Sequence, residues 1–131
     1  MSRNVSALDA SLRKFGHPIA MSVEIIVRRP LLKAQLESVQ VTQVDVREIT
    51  FQPGQETGRH VHPCPVFGYI AEGTAILQIE GEESQTLRTG SAFHEPAGTV
   101  IARFDNASSL QPMRFIAYYL LHGEQKLIEM L

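Results

Sequence analysis

The sequence has little of several features that define common protein classes. It contains one cysteine, Cys64, and no tryptophan, so no internal disulfide can form and the fold does not depend on an oxidising compartment. No apolar run approaches the length that crosses a bilayer. The first twenty residues are polar and mixed, unlike a secretion signal. We therefore expect a cytoplasmic protein with no membrane partner.

An excess of charge of one sign is also lacking. Twelve Lys and Arg residues face 14 Asp and Glu residues, for a formal net charge of −2. The basic residues are scattered apart from the pairs Arg13-Lys14 and Arg28-Arg29, whereas a nucleic-acid surface needs clustered positive charge. The chain also lacks a P-loop, a G-x-G-x-x-G fingerprint and a nucleophile elbow. We expect no nucleic-acid partner, and phosphoryl transfer, dinucleotide binding and serine hydrolysis have no support.

The sequence does contain a regular series of turn signals separating short β-prone runs. From Pro53-Gly54 onward, Gly, Pro or Asn recurs every eight to ten residues, and longer β-prone runs lie at 39–51 and 113–121. Many short strands without a helical period between them predict an all-β antiparallel sandwich or barrel. The length is that of a single domain.

The two ends of the chain are interpreted separately. Residues 4–15 carry apolar side chains at helical spacing, and Gly16 and Pro18 would end such a helix. A β-prone run follows at 23–27, and residues 30–36 form either one helical turn or a packed connection. We therefore expect an N-terminal helical arm at 1–20, a barrel at 21–122 and a C-terminal tail at 123–131.

His60 and His62 carry the most informative chemistry. Two histidines separated by one residue lie on the same face of an extended strand, and neutral imidazole is a common ligand of divalent metals. They stand between the Pro53-Gly54 turn and Pro63, and an apolar, aromatic run follows them. An isolated H-x-H is a weak motif, and structural or solvated histidines are the alternative. In this setting we favour a metal or ligand role.

The spacing around these histidines resembles the first motif of the cupin superfamily, G-x5-H-x-H-x3,4-E-x6-G. Gly54, His60, His62 and Gly73 occupy the motif positions. Val66 stands where the motif has its glutamate. The first motif is therefore matched except at one metal-ligand position.

A second cupin motif, G-x5-P-x-G-x2-H-x3-N, is resembled further along the chain. Gly90, Pro96 and Gly98 match its glycine and proline positions. Ile101 stands at the histidine position and Asp105 at the asparagine position. The framework of this motif is therefore retained, and its metal-binding histidine is not.

The resemblance covers about residues 39–121 and implies a double-stranded β-helix, an RmlC-like jelly-roll barrel. Members of this family commonly hold a metal on ligands from both motifs, bind a small-molecule ligand and form homodimers, so these properties are expected here. Dioxygenation, isomerisation and decarboxylation are the reaction classes open to such a metal. Because Val66 and Ile101 cannot coordinate a metal, the usual site of three histidines and one glutamate is excluded. A metal-free cupin that binds or senses a small molecule is the alternative.

Strand alternation indicates Glu95 as a replacement ligand. In the run before Pro96, residues 93 and 95 are expected to face the barrel, which leaves His94 on the outer face. A buried carboxylate is costly unless it is paired, hydrogen-bonded or bound to a cation. With His60 and His62 it would form a two-histidine, one-carboxylate set suited to Fe, Mn, Zn or Ni. The alternatives are a carboxylate that accepts hydrogen bonds from a buried Arg or Tyr, a metal-free acid or base, and an outward-facing Glu. Glu95 is thus also the candidate catalytic residue.

Other candidates rank lower. Cys64 is interpreted as a buried, inert thiol rather than a ligand. His17 and His122 lie outside the motifs, and we expect both to be solvated. Three strand arginines would clamp a substrate carboxylate only if they faced inward, and a surface position is favoured for each of them: Arg47, Arg103 and Arg114. Four aromatic residues are expected in the core or a dimer contact: Phe67, Tyr69, Tyr118 and Tyr119.

Overall fold

The structure of the protein is a computed structural model and describes residues 25–131. The chain divides into two units, residues 1–30 and residues 31–131, and the fold below is that of the second. The expected helical arm at 1–20 lies outside the described residues. Residues 25–41 contain neither helix nor strand. The described part of the expected β run at 23–27 is therefore not a strand, and residues 30–36 form a connection.

The physical reason is that the described residues provide no partner strand for this segment. A β-prone run becomes a strand only when another strand accepts its backbone hydrogen bonds. No strand among residues 25–131 pairs with residues 25–27, whose side chains are largely exposed. Local β propensity alone therefore does not order this stretch into a sheet.

Within residues 25–131, nine strands form two antiparallel sheets. This part of the chain includes no helix that could cross a membrane. The first sheet has the order β1-β8-β3-β6 and the second β5-β4-β7-β2-β9. The prediction of an all-β fold is confirmed, and most strands lie between the turn signals that predicted them. The strands are β1 (Gln43–Phe51), β2 (His60–Val61), β3 (Val66–Glu72), β4 (Thr74–Ile79), β5 (Gln85–Arg88), β6 (Ala92–Glu95), β7 (Val100–Asn106), β8 (Met113–Leu121) and β9 (Glu129–Met130).

The core lies between the two sheets and follows from side-chain alternation. In β8, every second residue from Met113 to Leu121 is buried, as expected for a strand with one face on the core. Strands from both sheets contribute to one hydrophobic cluster, which includes Ile70, Leu77, Ile101, Phe104 and Phe115. Burial of these apolar side chains is the main stabilising contribution to the fold.

Two glycines are required by close packing. Gly73, between β3 and β4, has a φ of +85°, and a Cβ there would lie 2.7 Å from the Pro112 carbonyl oxygen. Gly68 is in the middle of β3, and a Cβ there would lie 2.1 Å from Cζ of Phe93. The missing side chain at Gly68 therefore makes room for the Phe93 ring inside the protein.

The C-terminal tail is part of the second sheet. β9 pairs with β2, so that His60 lies opposite Met130 and Val61 opposite Glu129. The sequence patterns did not assign a structure to this segment, because a strand of two residues is too short to show alternation. This pairing places the tail beside the two histidines.

Candidate metal centre

The structure brings His60, His62 and Glu95 together between the two sheets. His60 begins β2 in the second sheet, His62 follows that strand, and Glu95 ends β6 in the first sheet. All three side chains are buried. Of the residues that the structure describes, they form a group of three potential metal ligands whose donor atoms all lie within 4.8 Å of one another.

The imidazoles approach the same carboxylate oxygen. Nε2 of His62 lies 2.6 Å from Oε1 of Glu95, and Nε2 of His60 lies 3.6 Å from that oxygen. The two rings are nearly perpendicular, at 79°, with centroids 4.9 Å apart. Two nitrogens and one oxygen therefore point at a common region.

The other nitrogen of each ring is held by a backbone carbonyl. Nδ1 of His60 lies 2.8 Å from the Gly58 carbonyl oxygen, and Nδ1 of His62 lies 2.6 Å from that of Leu127. A carbonyl oxygen only accepts hydrogen bonds, so each Nδ1 carries the hydrogen and donates it. In a neutral ring this leaves the Nε2 lone pair free and directed at the cluster, which is the arrangement of most metal-binding histidines.

Two opposing effects set the pKa values of the cluster: burial disfavours the charged forms, and the attraction between the histidines and the carboxylate favours them. Burial would raise the pKa of Glu95, but the contacts with His60 and His62 outweigh it and the pKa is lowered. Burial would lower the pKa of His60, but the Glu95 carboxylate and the Gly58 carbonyl outweigh it and the pKa is raised. Both directions mean that the site keeps a negative carboxylate and attracts positive charge.

The short contact between His62 and Glu95 needs a proton or a metal ion between its two atoms. Two lone pairs 2.6 Å apart, on Nε2 of His62 and Oε1 of Glu95, repel each other unless a cation lies between them. A proton can join those two atoms. The third atom, Nε2 of His60, lies too far from the carboxylate for a hydrogen bond, whereas one metal ion could contact all three.

A cavity of about 230 Å³ adjoins the cluster. His60, His62 and Glu95 form part of its wall, and both sheets contribute the rest. Most of the remaining lining is apolar or aromatic: Ile49, Phe51, Thr57, Val66, Phe93, Phe104, Phe115, Ala117, Tyr119 and Ile128. The cluster is therefore the polar end of a mainly apolar pocket.

Comparison with protein families agrees with the fold. The family model described as "Cupin domain" matches residues 47–119, which is more than half of the chain. The chain belongs to the cupin family. No curated protein sequence matches this cupin significantly.

Solved structures share the fold of this cupin at low sequence identity. A cupin-like protein from Thermotoga maritima MSB8 is 22% identical with a TM-score of 0.58, covering 67% of this chain and 64% of that one. An oxalate oxidase in complex with the substrate analogue glycolate is 20% identical with a TM-score of 0.58, covering 67% and 46%. A DMSP lyase from Ruegeria pomeroyi DSS-3 is 17% identical with a TM-score of 0.58, covering 66% and 42%. This cupin matches less than two thirds of each neighbour's length, and identities this low show the fold alone.

The two positions that lack their usual ligands face the site. Val66 is buried, lines the cavity and is the cross-strand partner of Glu95. Ile101 is fully buried and is the cross-strand partner of His60. Glu95 on β6 therefore places a carboxylate beside Val66 of β3. The cupin motif instead has its glutamate at the position of Val66 itself.

The lower-ranked histidines and the cysteine do not join the cluster. His94 faces away from the cavity and stacks on Phe67, with ring centroids 4.5 Å apart and planes at 6°. His122 is exposed, and His17 lies outside the described residues. Cys64 is fully buried in the hydrophobic core, and burial raises the pKa of its thiol. This environment fits the interpretation of Cys64 as an inert thiol.

The three strand arginines are each hydrogen-bonded to a carboxylate. Arg47 forms two hydrogen bonds with Asp45, Arg103 donates to Asp105, and Arg114 donates to Glu48. None of the three lines the cavity. Of the four aromatic residues noted in the sequence, Tyr119 is buried and lines the cavity, whereas Phe67, Tyr69 and Tyr118 do not line it.

Sequence reasoning missed the contribution of the C-terminal tail. The Leu127 carbonyl accepts the Nδ1–H of His62, and Ile128 lines the cavity. A backbone carbonyl leaves no trace in residue type, so no sequence signal could identify it. The apolar pair Leu127-Ile128 in the tail was the available sign that this segment packs against the core.

Proposed function

We propose that this cupin binds one divalent metal ion on His60, His62 and Glu95, and that it binds or transforms a small molecule in the adjoining cavity. The observation that supports this most strongly is the convergence of two Nε2 atoms and one carboxylate oxygen, while both Nδ1 atoms donate to backbone carbonyls. When both rings are neutral and Glu95 is ionised, such a donor set has free lone pairs and no hydrogen of its own at the centre.

The donor set fits a first-row divalent metal. Two imidazoles and one carboxylate suit Fe, Mn, Zn or Ni and leave coordination positions open. When bound, the ion would supply Lewis-acid or oxygen-binding chemistry of the kind used in dioxygenation, isomerisation or decarboxylation. The protein's own contribution is to fix the two rings through the Gly58 and Leu127 carbonyls, to offset part of the ionic charge with Glu95, and to limit water through the apolar walls.

Known cupins of the same fold are consistent with this proposal. The oxalate oxidase neighbour was determined with a substrate analogue, and the DMSP lyase is named for an enzymatic reaction. These neighbours support a small-molecule site in a fold of this kind. They do not supply a substrate for this chain.

A metal-free binding module is the second candidate function. It is favoured by the apolar Val66 and Ile101 at two usual ligand positions. In that state a proton shared between His62 and Glu95 would neutralise the short contact, and the cavity would bind a ligand without metal chemistry. The two functions therefore differ in which cation occupies the cluster.

Metal analysis of protein purified without a polyhistidine tag distinguishes the two functions. We expect near-stoichiometric metal in the wild type and strong losses in His60→Ala and Glu95→Ala. His122→Ala is the matched control, because His122 is exposed and the same substitution there should leave the metal content unchanged. Wild-type protein that stays metal-free after incubation with each of the four ions would contradict the proposal and favour the binding module.

We further propose that this cupin is a homodimer that uses the outer face of its first sheet. The strand registers align Val46, Tyr118, Phe67 and His94 in one row across that face. Val44, Val46, Tyr69 and Tyr118 are all exposed. A contiguous apolar and aromatic sheet face of this kind is typical of a protein contact.

Light scattering coupled to size-exclusion chromatography measures the molar mass and so tests whether the protein is a dimer. The wild type should have twice the mass of one chain, and Val46→Glu with Tyr118→Glu should shift it toward a monomer by placing charge on the shared surface. Glu83→Lys, a charge change on the exposed loop between β4 and β5, is the control. A monomeric wild type at micromolar concentration would contradict the proposal.

A further inference from the structure

The cavity has an aromatic subsite next to the candidate metal centre. Four phenylalanines line it: Phe51, Phe93, Phe104 and Phe115. Their rings contact one another, with centroids 4.9 Å apart for Phe104 and Phe115 and 5.1 Å apart for Phe93 and Phe104. Mutual ring contacts restrict the rotamers, so this wall is preformed before a ligand enters.

Among the described residues, no positively charged side chain forms part of the cavity wall. The lining residues include no lysine or arginine. Each strand arginine that could have served as a clamp is hydrogen-bonded to a carboxylate: Arg47 to Asp45, Arg103 to the buried Asp105 and Arg114 to Glu48. A ligand carboxylate placed against the phenylalanines would therefore be buried without a partner, which is costly.

Few polar groups remain away from the cluster. Besides the three cluster residues, Thr57 and Tyr119 are the lining residues with a polar side chain. The Thr57 hydroxyl donates to the Phe104 carbonyl oxygen over 2.6 Å, so its hydrogen is already used. A ligand in this pocket therefore finds its polar contacts mainly at the cluster end.

The size of the cavity limits the ligand as well. An apolar cavity of roughly 150 Å³ is enough to hold benzene. The cavity here is about 230 Å³, which leaves room for a single ring with a short polar substituent. A fused-ring or long-chain ligand would need the cavity to open.

We propose that the ligand of this pocket is a compact, predominantly apolar molecule of single-ring size with one hydroxyl, enol or carbonyl group, and that it is not a dicarboxylate. Its oxygen faces His60, His62 and Glu95, and its ring lies among the phenylalanines. This proposal rests on the proposed function for the role of the cluster, whereas the aromatic subsite is a property of the cavity alone.

Three probes with the same chelating group test the proposal on metal-loaded protein by isothermal titration. Benzohydroxamic acid should bind at least about tenfold more tightly than acetohydroxamic acid, the difference expected for burying a phenyl group in place of a methyl group. Malonomonohydroxamic acid, which adds a carboxylate, should bind no more tightly than acetohydroxamic acid. Equal binding of the phenyl and methyl probes, or tighter binding of the carboxylate probe, would overturn the proposal.

A cavity-filling variant provides the matched comparison. Ala117 lines the cavity and is buried on β8, so Ala117→Leu should abolish the preference for the phenyl probe while metal content is unchanged. Ala102→Leu makes the same change on β7 at a residue outside the cavity lining and should leave the preference intact. If Ala117→Leu does not fold, Ala117→Val adds less volume and should reduce the preference in the same direction.

A metal-free measurement separates failure of this proposal from failure of the metal site. Toluene added to metal-free protein should shift the NMR signals of the cavity-lining residues in the wild type and not in Ala117→Leu. If no metal binds but toluene does, the aromatic subsite stands and the metal proposal fails. If metal binds, but toluene shifts no signals of the cavity-lining residues and the phenyl probe binds no more tightly than the methyl probe, the metal proposal stands and the aromatic subsite is wrong.

Discussion

Replacement of Glu95 by glutamine tests the electrostatic reasoning most closely. Glu95→Gln keeps the side-chain shape but removes the negative charge and one metal-binding oxygen. In the metal-free protein, the new amide can donate to Nε2 of His62, which is 2.6 Å from the carboxylate oxygen in the wild type. A buried ion pair is then exchanged for a buried neutral hydrogen bond, so the free energy of unfolding should change by no more than about 1 kcal/mol.

The metal-loaded protein should respond very differently. A metal at 100 times its Kd stabilises a protein by about 2.7 kcal/mol, which for a domain of this size raises Tm by roughly 10 °C. Loss of a residue that contacts the metal should weaken metal affinity at least about a hundredfold, since loss of a residue that only hydrogen-bonds to such a ligand weakens it 10–100-fold. At the same metal concentration the variant would then gain only about 0.4 kcal/mol, or roughly 2 °C.

The assay is thermal unfolding of untagged wild type and Glu95→Gln, each with and without metal. Glu83→Gln makes the same substitution on an exposed loop and should retain the full metal-induced rise in Tm. An equal rise in wild type and Glu95→Gln would show that the carboxylate does not bind the ion. A large loss of stability in metal-free Glu95→Gln would show that the ion pair itself holds the fold, contrary to the reasoning.

Three further predictions concern the protonation and packing of the site. Burial lowers the pKa of His60 but Glu95 more than offsets it, so the pKa is raised above the ordinary 6.5. Metal affinity should therefore fall roughly tenfold per pH unit for each displaced proton below that raised value, and a flat titration profile between about pH 8 and 5.5 would contradict this. Cys64 is fully buried with a raised pKa, so 5,5′-dithiobis(2-nitrobenzoic acid) should label it slowly in the native protein and quickly in urea; rapid native labelling would refute that burial. Gly68→Ala places a methyl 2.1 Å from Phe93 and should cost about 1–3 kcal/mol in urea unfolding, with a less-than-additive cost when combined with Phe93→Ala; additive costs would show that the two residues do not compete for space.

The sequence predicted most of the fold because its turns and alternation are local signals. The glycine and proline spacing indicated the strand boundaries, and the two-residue period placed His60 and His62 on one face. The same period placed Phe93 and Glu95 inward and His94 outward, as the structure has them. These features depend only on the chemistry of neighbouring residues along the chain.

The features that the sequence did not predict depend on contacts between distant segments. The run at 25–27 has β propensity but no partner strand among the described residues, so propensity was misleading there. The Leu127 carbonyl reaches His62 across 65 residues of sequence, and the aromatic cavity wall combines strands from both sheets. Pairing and packing at this distance are set by the assembled sheets and cannot be derived from local pattern.

The central claim is that one metal ion contacts His60, His62 and Glu95 together. X-ray absorption at the metal edge of the loaded, untagged protein measures this most directly. The claim predicts nitrogen and oxygen neighbours at about 2.0–2.2 Å with outer-shell scattering from two imidazole rings, which falls to one ring for the metal that His60→Ala still binds at high metal concentration. A spectrum without imidazole scattering, or one that is unchanged in His60→Ala, would contradict it.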